Sequence, residues 1–367
     1  MRNQYITMNK LDIDTPALVV NFDVMMRNIR EMAKLAKESG VKLRAHVKTH
    51  KVPEIAKLQL EEGSKGICVQ KLGEAEVMAN HGIDDIFITN EIVGEKKIKR
   101  LADLAEKIKI YVAVDHPENV ISLSQSMKER GVELGVYIDV DCGMHRTGVS
   151  PEKAPELASL IHRSEGLYFA GVMGYEGHAG APLKADERQK LTEEAIQMTL
   201  EAVRLIKNRG IEVKEVSVGS TPTVAYSSKF EEVTEIQPGT YVFNDYYLVD
   251  RAVATIETCA LRVLATVMSR SAPDRGVIDA GSKAFQLDMN RYPVATGIQG
   301  VEVIKFSEEH GWLKITGEAQ NKIKLGDKLE FIPYHVCTCV NQHDTMYITR
   351  NDKVIYEWQI KARGKMV

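Results

Sequence analysis

The sequence predicts an α/β chain in which a parallel (β/α)8 barrel of TIM type is followed by an antiparallel β domain. Three observations carry this reading. First, apolar strand-like runs alternate with runs of helical period between residues 15 and 240, a pattern that implies parallel strands joined by right-handed crossovers. Second, no Gly-x-Gly-x-x-Gly follows the first strand, which disfavours a doubly wound dinucleotide-binding sheet, the other architecture with such alternation. Third, the texture changes after about residue 250, where short β-rich runs are separated by turn signals such as Pro273-Asp274-Arg275-Gly276 and Leu325-Gly326-Asp327. The expected division is 15–250 for the barrel and 251–367, together with 1–14, for the β domain.

In chain order, Thr15–Val20 reads as a short apolar strand. Asp23 can cap the helix that follows, where Met25, Ile29, Met32, Ala33 and Ala36 recur at helical spacing. Gly40 ends that helix and Val41–Val47 is the next strand. Pro53 opens a helix through Leu60. The alternation continues through strands at 66–69, 85–88, 108–114, 134–140, 167–173 and 213–218, each followed by a helix except the last, and ends in a weak strand at Val233–Ile236. These about eight or nine strands suit a barrel, whose functional groups gather at the C-terminal ends of its strands.

Composition sets the outer limits. A chain of 367 residues exceeds what one core usually holds. A net charge of -3 gives no electrostatic case for nucleic acid, and no apolar run approaches a membrane span. Met1-Arg2-Asn3-Gln4-Tyr5 lacks the apolar core of a secretion signal. The cysteines at 68, 142, 259, 337 and 339 have no framework spacing, so a reducing compartment, the cytoplasm, is expected.

Three polar clusters fall where barrel strands should end. In Arg44-Ala45-His46-Val47-Lys48-Thr49-His50-Lys51, the residues His46, Lys48 and His50 occupy alternate positions, which on an extended segment face one side. A lysine facing inward just past a strand end is a candidate for covalent chemistry with an aldehyde. Asp139–Gly148, with Arg146, and Gly174–Gly180, with Tyr175, are the other two clusters. Val218-Gly219-Ser220-Thr221-Pro222 is the phosphate candidate: a strand, small hydroxylated residues, then a proline that can open a helix. Its companion is Gln237-Pro238-Gly239-Thr240-Tyr241, where Gly239 permits close backbone approach and Tyr241 offers a hydroxyl. In the β domain, Tyr334-His335-Val336-Cys337-Thr338-Cys339 read as a strand puts His335 and Cys337 on one side, and Cys337 and Cys339 likewise. Imidazole and thiolate together favour Zn²⁺. Ser307-Glu308-Glu309-His310-Gly311 is a further polar knot that could support such a site.

With these residues in hand, the chain resembles the D-threonine aldolase and D-serine dehydratase family, pyridoxal-phosphate (PLP) enzymes with an alanine-racemase-type barrel. The motifs that carry the resemblance are Asp14-Thr15-Pro16-Ala17, Arg44–Lys51, Gly219-Ser220-Thr221-Pro222, Ser307–Gly311 and Tyr334-His335-Val336-Cys337. The resemblance implies that Lys48 is the Schiff-base lysine and that Arg146 and Tyr175 contact the cofactor. It implies that Gly219, Ser220, Thr221, Gly239 and Tyr241 cradle its phosphate, and that His335 and Cys337 bind a divalent metal, Zn²⁺ or alternatively Mn²⁺. Ala45 stands where the family commonly has proline, and Cys339 is an extra thiol.

The implied substrate is a small D-β-hydroxy amino acid, and the implied assembly is a homodimer with a shared site. The implied reaction is loss of water and ammonia, a dehydratase, with aldol cleavage to glycine and an aldehyde as the alternative. His-x-Cys leans to the dehydratases, His-x-Asp to the aldolases. A racemase would keep the lysine and the phosphate cradle but needs a second proton carrier and no metal. A PLP-carrier protein and a sugar-phosphate enzyme are the remaining readings.

Overall fold

The computed structural model describes residues 8–367; the reading of Met1–Tyr5 lies outside the described residues. Two compact units divide the chain. One comprises Arg30–Gly239 with Gly364–Val367, the other Met1–Ile29 with Thr240–Arg363.

The first strand, β1 (Ala17–Asn21), is not part of the barrel. The barrel is closed by eight parallel strands: β2 (Lys42–His46), β3 (Gly66–Val69), β4 (Asp85–Glu91), β5 (Lys109–Val114), β6 (Leu134–Asp139), β7 (Leu167–Gly174), β8 (Glu215–Val218) and β9 (Glu235–Ile236). Closure is made by β9 against β2, where Lys42 pairs with Glu235 and Leu43 with Ile236. The helices fall where the periodicity predicts them, for example Pro53–Glu61, Pro117–Arg130 and Ala185–Asn208. Gly131, at φ +67°, ends the second of these as a left-handed cap.

The barrel interior is packed, not open. Cys68, Phe87, Tyr111, Ala113, Tyr137, Ala170 and Met173 form one buried cluster, with the Phe87 and Tyr137 rings stacked at 4.3 Å. Charge is also buried here. Arg44 is fully buried, with Nε donating to Glu235 at 2.9 Å and Nη1 paired to Asp85. Ser217 donates to the other Glu235 oxygen at 2.8 Å. A guanidinium held this way is an ion pair whose partners matter more than its net Coulomb energy, because removing one leaves the other charged and dry.

The second unit is built on a nine-stranded sheet of β1 with β10 (Leu261–Ala272), β11 (Arg275–Ile278), β12 (Val294–Thr296), β13 (Val301–Phe306), β14 (Gly311–Ile315), β15 (Lys328–Ile332), β16 (Thr345–Arg350) and β17 (Lys353–Gln359). Its main path runs β13-β14-β11-β10-β1-β16-β17, with β15 on β10 and β12 on β15. All pairings are antiparallel except β1 with β16, which is parallel. The strand at Thr15–Val20 was expected in the barrel because apolar runs look alike in either setting. Its hydrogen bonds instead go to β10 and β16, so the barrel unit starts at Arg30, inside helix Phe22–Glu38. The unit boundary at Gly239 likewise precedes the expected residue 250. No helix among the described residues is long and apolar enough to cross a membrane.

Candidate active site

β2 ends at His46, and the chain then turns rather than continuing extended: Val47–Thr49 is a single 3₁₀ turn. The expected alternation of His46, Lys48 and His50 along a strand is therefore not what the structure shows. His46 is the turn's cap. Its Nδ1 accepts the Lys48 N–H at 3.3 Å, which leaves Nε2–H to donate to Thr89 at 3.1 Å. Burial, and then the nearby Lys48 charge, hold this imidazole well below its ordinary pKa, so it is neutral. His50 is buried against Gln59, and burial pushes it down to about 3. Neither imidazole adds charge beside the amine. Lys48 alone of the segment 43–50 is partly exposed.

Lys48, Arg146 and Tyr175, predicted from three separate strand ends, come together. The Lys48 Nζ lies 5.2 Å from the Tyr175 ring centroid and the Arg146 guanidinium carbon 5.3 Å from the same ring, both within cation–π range. The Arg146 loop is pinned by carboxylates. Asp141 accepts the Gly143 and His145 N–H groups at 3.0 and 2.9 Å, Asp139 accepts the Thr147 hydroxyl at 2.8 Å, and Asp115 accepts the Gly148 N–H at 3.1 Å. Gly148 is required: at φ +98°, a Cβ there would lie 2.5 Å from the Asp141 nitrogen.

Gly239 packs on the lysine turn. A Cβ at Gly239 would sit 2.8 Å from the His46 carbonyl oxygen and 3.1 Å from the Thr49 hydroxyl, and His46 N–H donates to the Pro238 carbonyl at 3.0 Å. Gly219, Ser220 and Thr221 form the turn after β8, all buried or nearly so. The proline does not start the following helix; Val224–Ser227 does, one short turn later. Gly219 N–H donates to Glu176 at 3.1 Å and Ser220 N–H to the Thr223 hydroxyl at 2.9 Å, so these two donors are directed into the protein. Tyr241 lies in the second unit, buried on the 3₁₀ turn Thr240–Val242.

Two residues of the predicted polar segments to which the sequence assigned no role belong here. Glu176 is fully buried behind the Gly219 turn. Gln237, at the end of β9, is buried with its Nε2 lacking a hydrogen-bond partner among the described residues. A buried amide donor left unsatisfied beside a lysine turn is what a polar ligand would complete. The residues at the barrel strand ends thus fit an aldehyde cofactor with a phosphate. Only a polar residue directly after an apolar strand could have signalled Gln237.

In the second unit, Tyr334–Cys339 is not a strand. Val336–Val340 is a short helix with His335 as its extended cap residue. Asp245 dictates this, since one carboxylate oxygen accepts the Val336 N–H at 3.0 Å and the other the Leu248 N–H at 3.1 Å. Burial raises the Asp245 carboxyl to about 6 despite these bonds. His335 and Cys337 are still near enough to interact, the thiol being one of the groups that raise the imidazole. Cys339 faces elsewhere: it is buried with its thiol on the Ala284 carbonyl at 3.3 Å. The His335 Nδ1 is 2.6 Å from Asp288, whose other oxygen accepts the Thr338 hydroxyl at 3.0 Å. Burial opposes charge on His335, but Cys337, Asp245 and Asp288 outweigh it and raise the imidazole to about 10.

An imidazole with one nitrogen oriented by a carboxylate and a thiol two residues on is a donor set that fits a borderline-soft divalent cation. No group of three His, Cys, Asp or Glu able to hold a metal occurs among the described residues. A cation there would complete its shell with water or substrate oxygen. Ser307–His310 is the hairpin turn between β13 and β14, closed by Ser307 N–H on the His310 carbonyl at 2.9 Å, with Glu308 and Glu309 paired to Lys283.

Comparison with known proteins agrees with this layout. The alanine racemase N-terminal domain matches residues 20–246 and a putative serine dehydratase domain matches 260–349. The 3-hydroxy-D-aspartate aldolase of Paracoccus denitrificans (strain Pd 1222) is 35% identical over 98% of this chain and 94% of its own. The crystal structure of D-threonine aldolase from Filomicrobium marinum superposes with a TM-score of 0.93 at 33% identity, covering 100% of both chains. D-threo-3-hydroxyaspartate dehydratase from Delftia sp. HT23 superposes at 0.87 with 28% identity over 96% of this chain and 98% of that one. Solved variants of a D-threo-3-hydroxyaspartate dehydratase replace a histidine and, two positions on, a cysteine, the latter in a metal-free form. The chain thus belongs to the D-threonine aldolase and D-serine dehydratase family of PLP-dependent lyases, built on the alanine-racemase-type barrel.

Proposed function

We propose that the protein eliminates water from small D-β-hydroxy amino acids, D-serine, D-threonine or D-threo-3-hydroxyaspartate, giving a 2-oxo acid and ammonia. The observation that carries this reading is the His335–Cys337 pair oriented by Asp288. It has the same residue types and spacing as those replaced in the dehydratase variants.

In this reading Lys48 holds the cofactor and moves the proton at the substrate Cα. Tyr175 and Arg146 flank it, the ring orienting the lysine chain and the guanidinium supplying fixed positive charge. Neutral His46 and His50 keep the amine free of competing cations. The turn of Gly219, Ser220 and Thr221, with Gly239 and Tyr241, is assigned to the phosphate, the Gly219 and Ser220 N–H groups themselves being held by Glu176 and Thr223. Bound PLP supplies the electron sink that stabilises negative charge at Cα. His335 and Cys337 hold a divalent cation, Zn²⁺ before Mn²⁺ given the thiolate, which supplies Lewis acidity toward the β-hydroxyl. A homodimer is part of the proposal, tested by sedimentation of the active enzyme; a fully active monomer removes it.

The second reading is aldol cleavage. It is favoured by the higher overall identity to aldolases, 35% and 33%. Product analysis with the three substrates, with and without chelator, decides. Ammonia with 2-oxo acid supports the dehydratase; glycine with an aldehyde overturns it in favour of the aldolase.

A further inference from the structure

Glu176 has no part in the reading above, yet it is the best-buried carboxylate near the Gly219 turn. It is fully excluded from solvent, one residue after Tyr175. Its Oε2 accepts the Gly219 N–H at 3.1 Å and its Oε1 accepts the Thr223 hydroxyl at 2.7 Å. The Thr223 hydroxyl in turn accepts the Ser220 N–H at 2.9 Å and lies 2.8 Å from the Ser220 hydroxyl. One carboxylate therefore fixes both ends of the five-residue turn and, through Thr223, its middle. Gly219 needs φ +94° for this, and a Cβ there would press to 3.3 Å on the Ser227 hydroxyl.

A buried carboxylate is an odd neighbour for a phosphate, since like charges repel. The geometry resolves the difficulty. The carboxylate binds the turn from inside, taking the Gly219 N–H itself and, through the Thr223 hydroxyl, holding the Ser220 N–H, so it acts on the shape of the turn and not as a contact to the phosphate. Burial holds the Glu176 proton affinity up, which lessens the repulsion. We propose that Glu176 is a positioning residue that sets the shape of the Gly219–Thr223 turn so that it receives the cofactor's phosphate. This rests on the assignment of that turn to the phosphate in the preceding section.

The test compares two probes on the full-length protein stripped of cofactor, PLP and phosphate-free pyridoxal, each titrated by imine absorbance. In the wild type, PLP binds more tightly than pyridoxal. Glu176→Ala orphans the Gly219 donor and should weaken PLP by at least about tenfold while changing pyridoxal by no more than about threefold. Glu176→Gln should stay within about threefold for both, because the amide oxygen accepts from Gly219 and the Thr223 hydroxyl can rotate to accept from the amide nitrogen.

An equal loss of PLP and pyridoxal in Glu176→Ala, or no loss of PLP, overturns the inference. If Glu176→Ala does not fold, Thr223→Val against Thr223→Ser gives the same ratio: Val lowers the PLP preference and Ser restores it, and equal ratios overturn the inference. A wild type that binds both probes equally removes the phosphate assignment itself, and is told apart because no variant is needed to see it.

Discussion

The barrel strand ends and the His335 corner solve the same problem, holding reactive side chains still, by different means. In the barrel, Lys48, Arg146 and Tyr175 each follow a strand of an eight-stranded closed sheet, and their loops are tied down by neighbouring side chains such as His46 and Asp141. At the corner, His335 is the cap of a five-residue helix that carries Cys337; Asp245 accepts the helix's first N–H and Asp288 orients the ring. The first arrangement draws on a rigid sheet; the second depends on two carboxylates. Barrel positions should therefore tolerate the loss of a supporting residue better than the corner does.

The largest expected effect is at Lys48. Lys48→Ala should lower turnover by at least about 10³-fold for either product pair and abolish borohydride-trappable cofactor. Retained trapping would show that another amine carries it. His335→Ala or Cys337→Ala should cost several kcal/mol of catalysis, about 10²-fold or more, while imine absorbance at Lys48 persists. Loss of both signals together would mean that the two regions are not separable. Arg44→Leu removes one partner of the buried Arg44–Glu235–Asp85 group and should destabilise the protein by about 3–5 kcal/mol in urea unfolding. Asp288→Asn should weaken metal affinity by about 10–100-fold, read by metal titration, with the fold intact.

A last effect is a pH dependence at the barrel end. Burial, and then Glu91, push the Asp139 carboxyl up to about 8, against an unfolded value of about 3.9. Between those values the native chain keeps a proton that the unfolded chain loses. The contribution of this group is fully present below about pH 4 and is lost as pH rises through about 8. The stability of the wild type should fall over that window relative to Asp139→Asn, in paired thermal melts. Parallel curves would show that Asp139 does not carry that proton.

Much of this was legible in the sequence. Strand and helix alternation located the closed barrel because period and turn residues are local properties. The strand ends then grouped Lys48, Arg146 and Tyr175 without any distance information. What could not be read was where a strand pairs. β1 is as apolar as any barrel strand, and only its partners β10 and β16 exclude it from the barrel. The helical form of Val336–Val340 was equally hidden, since Val-Cys-Thr-Cys-Val favours a strand locally. Asp245, far away in sequence, overrides that preference by accepting the Val336 N–H. Glu176 and Gln237 lie inside polar segments the sequence singles out but drew no role there, because each is informative only through burial and hydrogen bonding.

The placement of β1 also has a consequence for biosynthesis. Its two neighbours in the sheet, β10 and β16, begin at Leu261 and Thr345. A chain leaving the ribosome exposes both edges of Ala17–Asn21 throughout synthesis of the barrel. Unpaired apolar edges invite association with other nascent chains. Chaperone demand should consequently fall on the earliest strand rather than on the barrel, and crosslinking of stalled chains ending near residue 250 would detect it there.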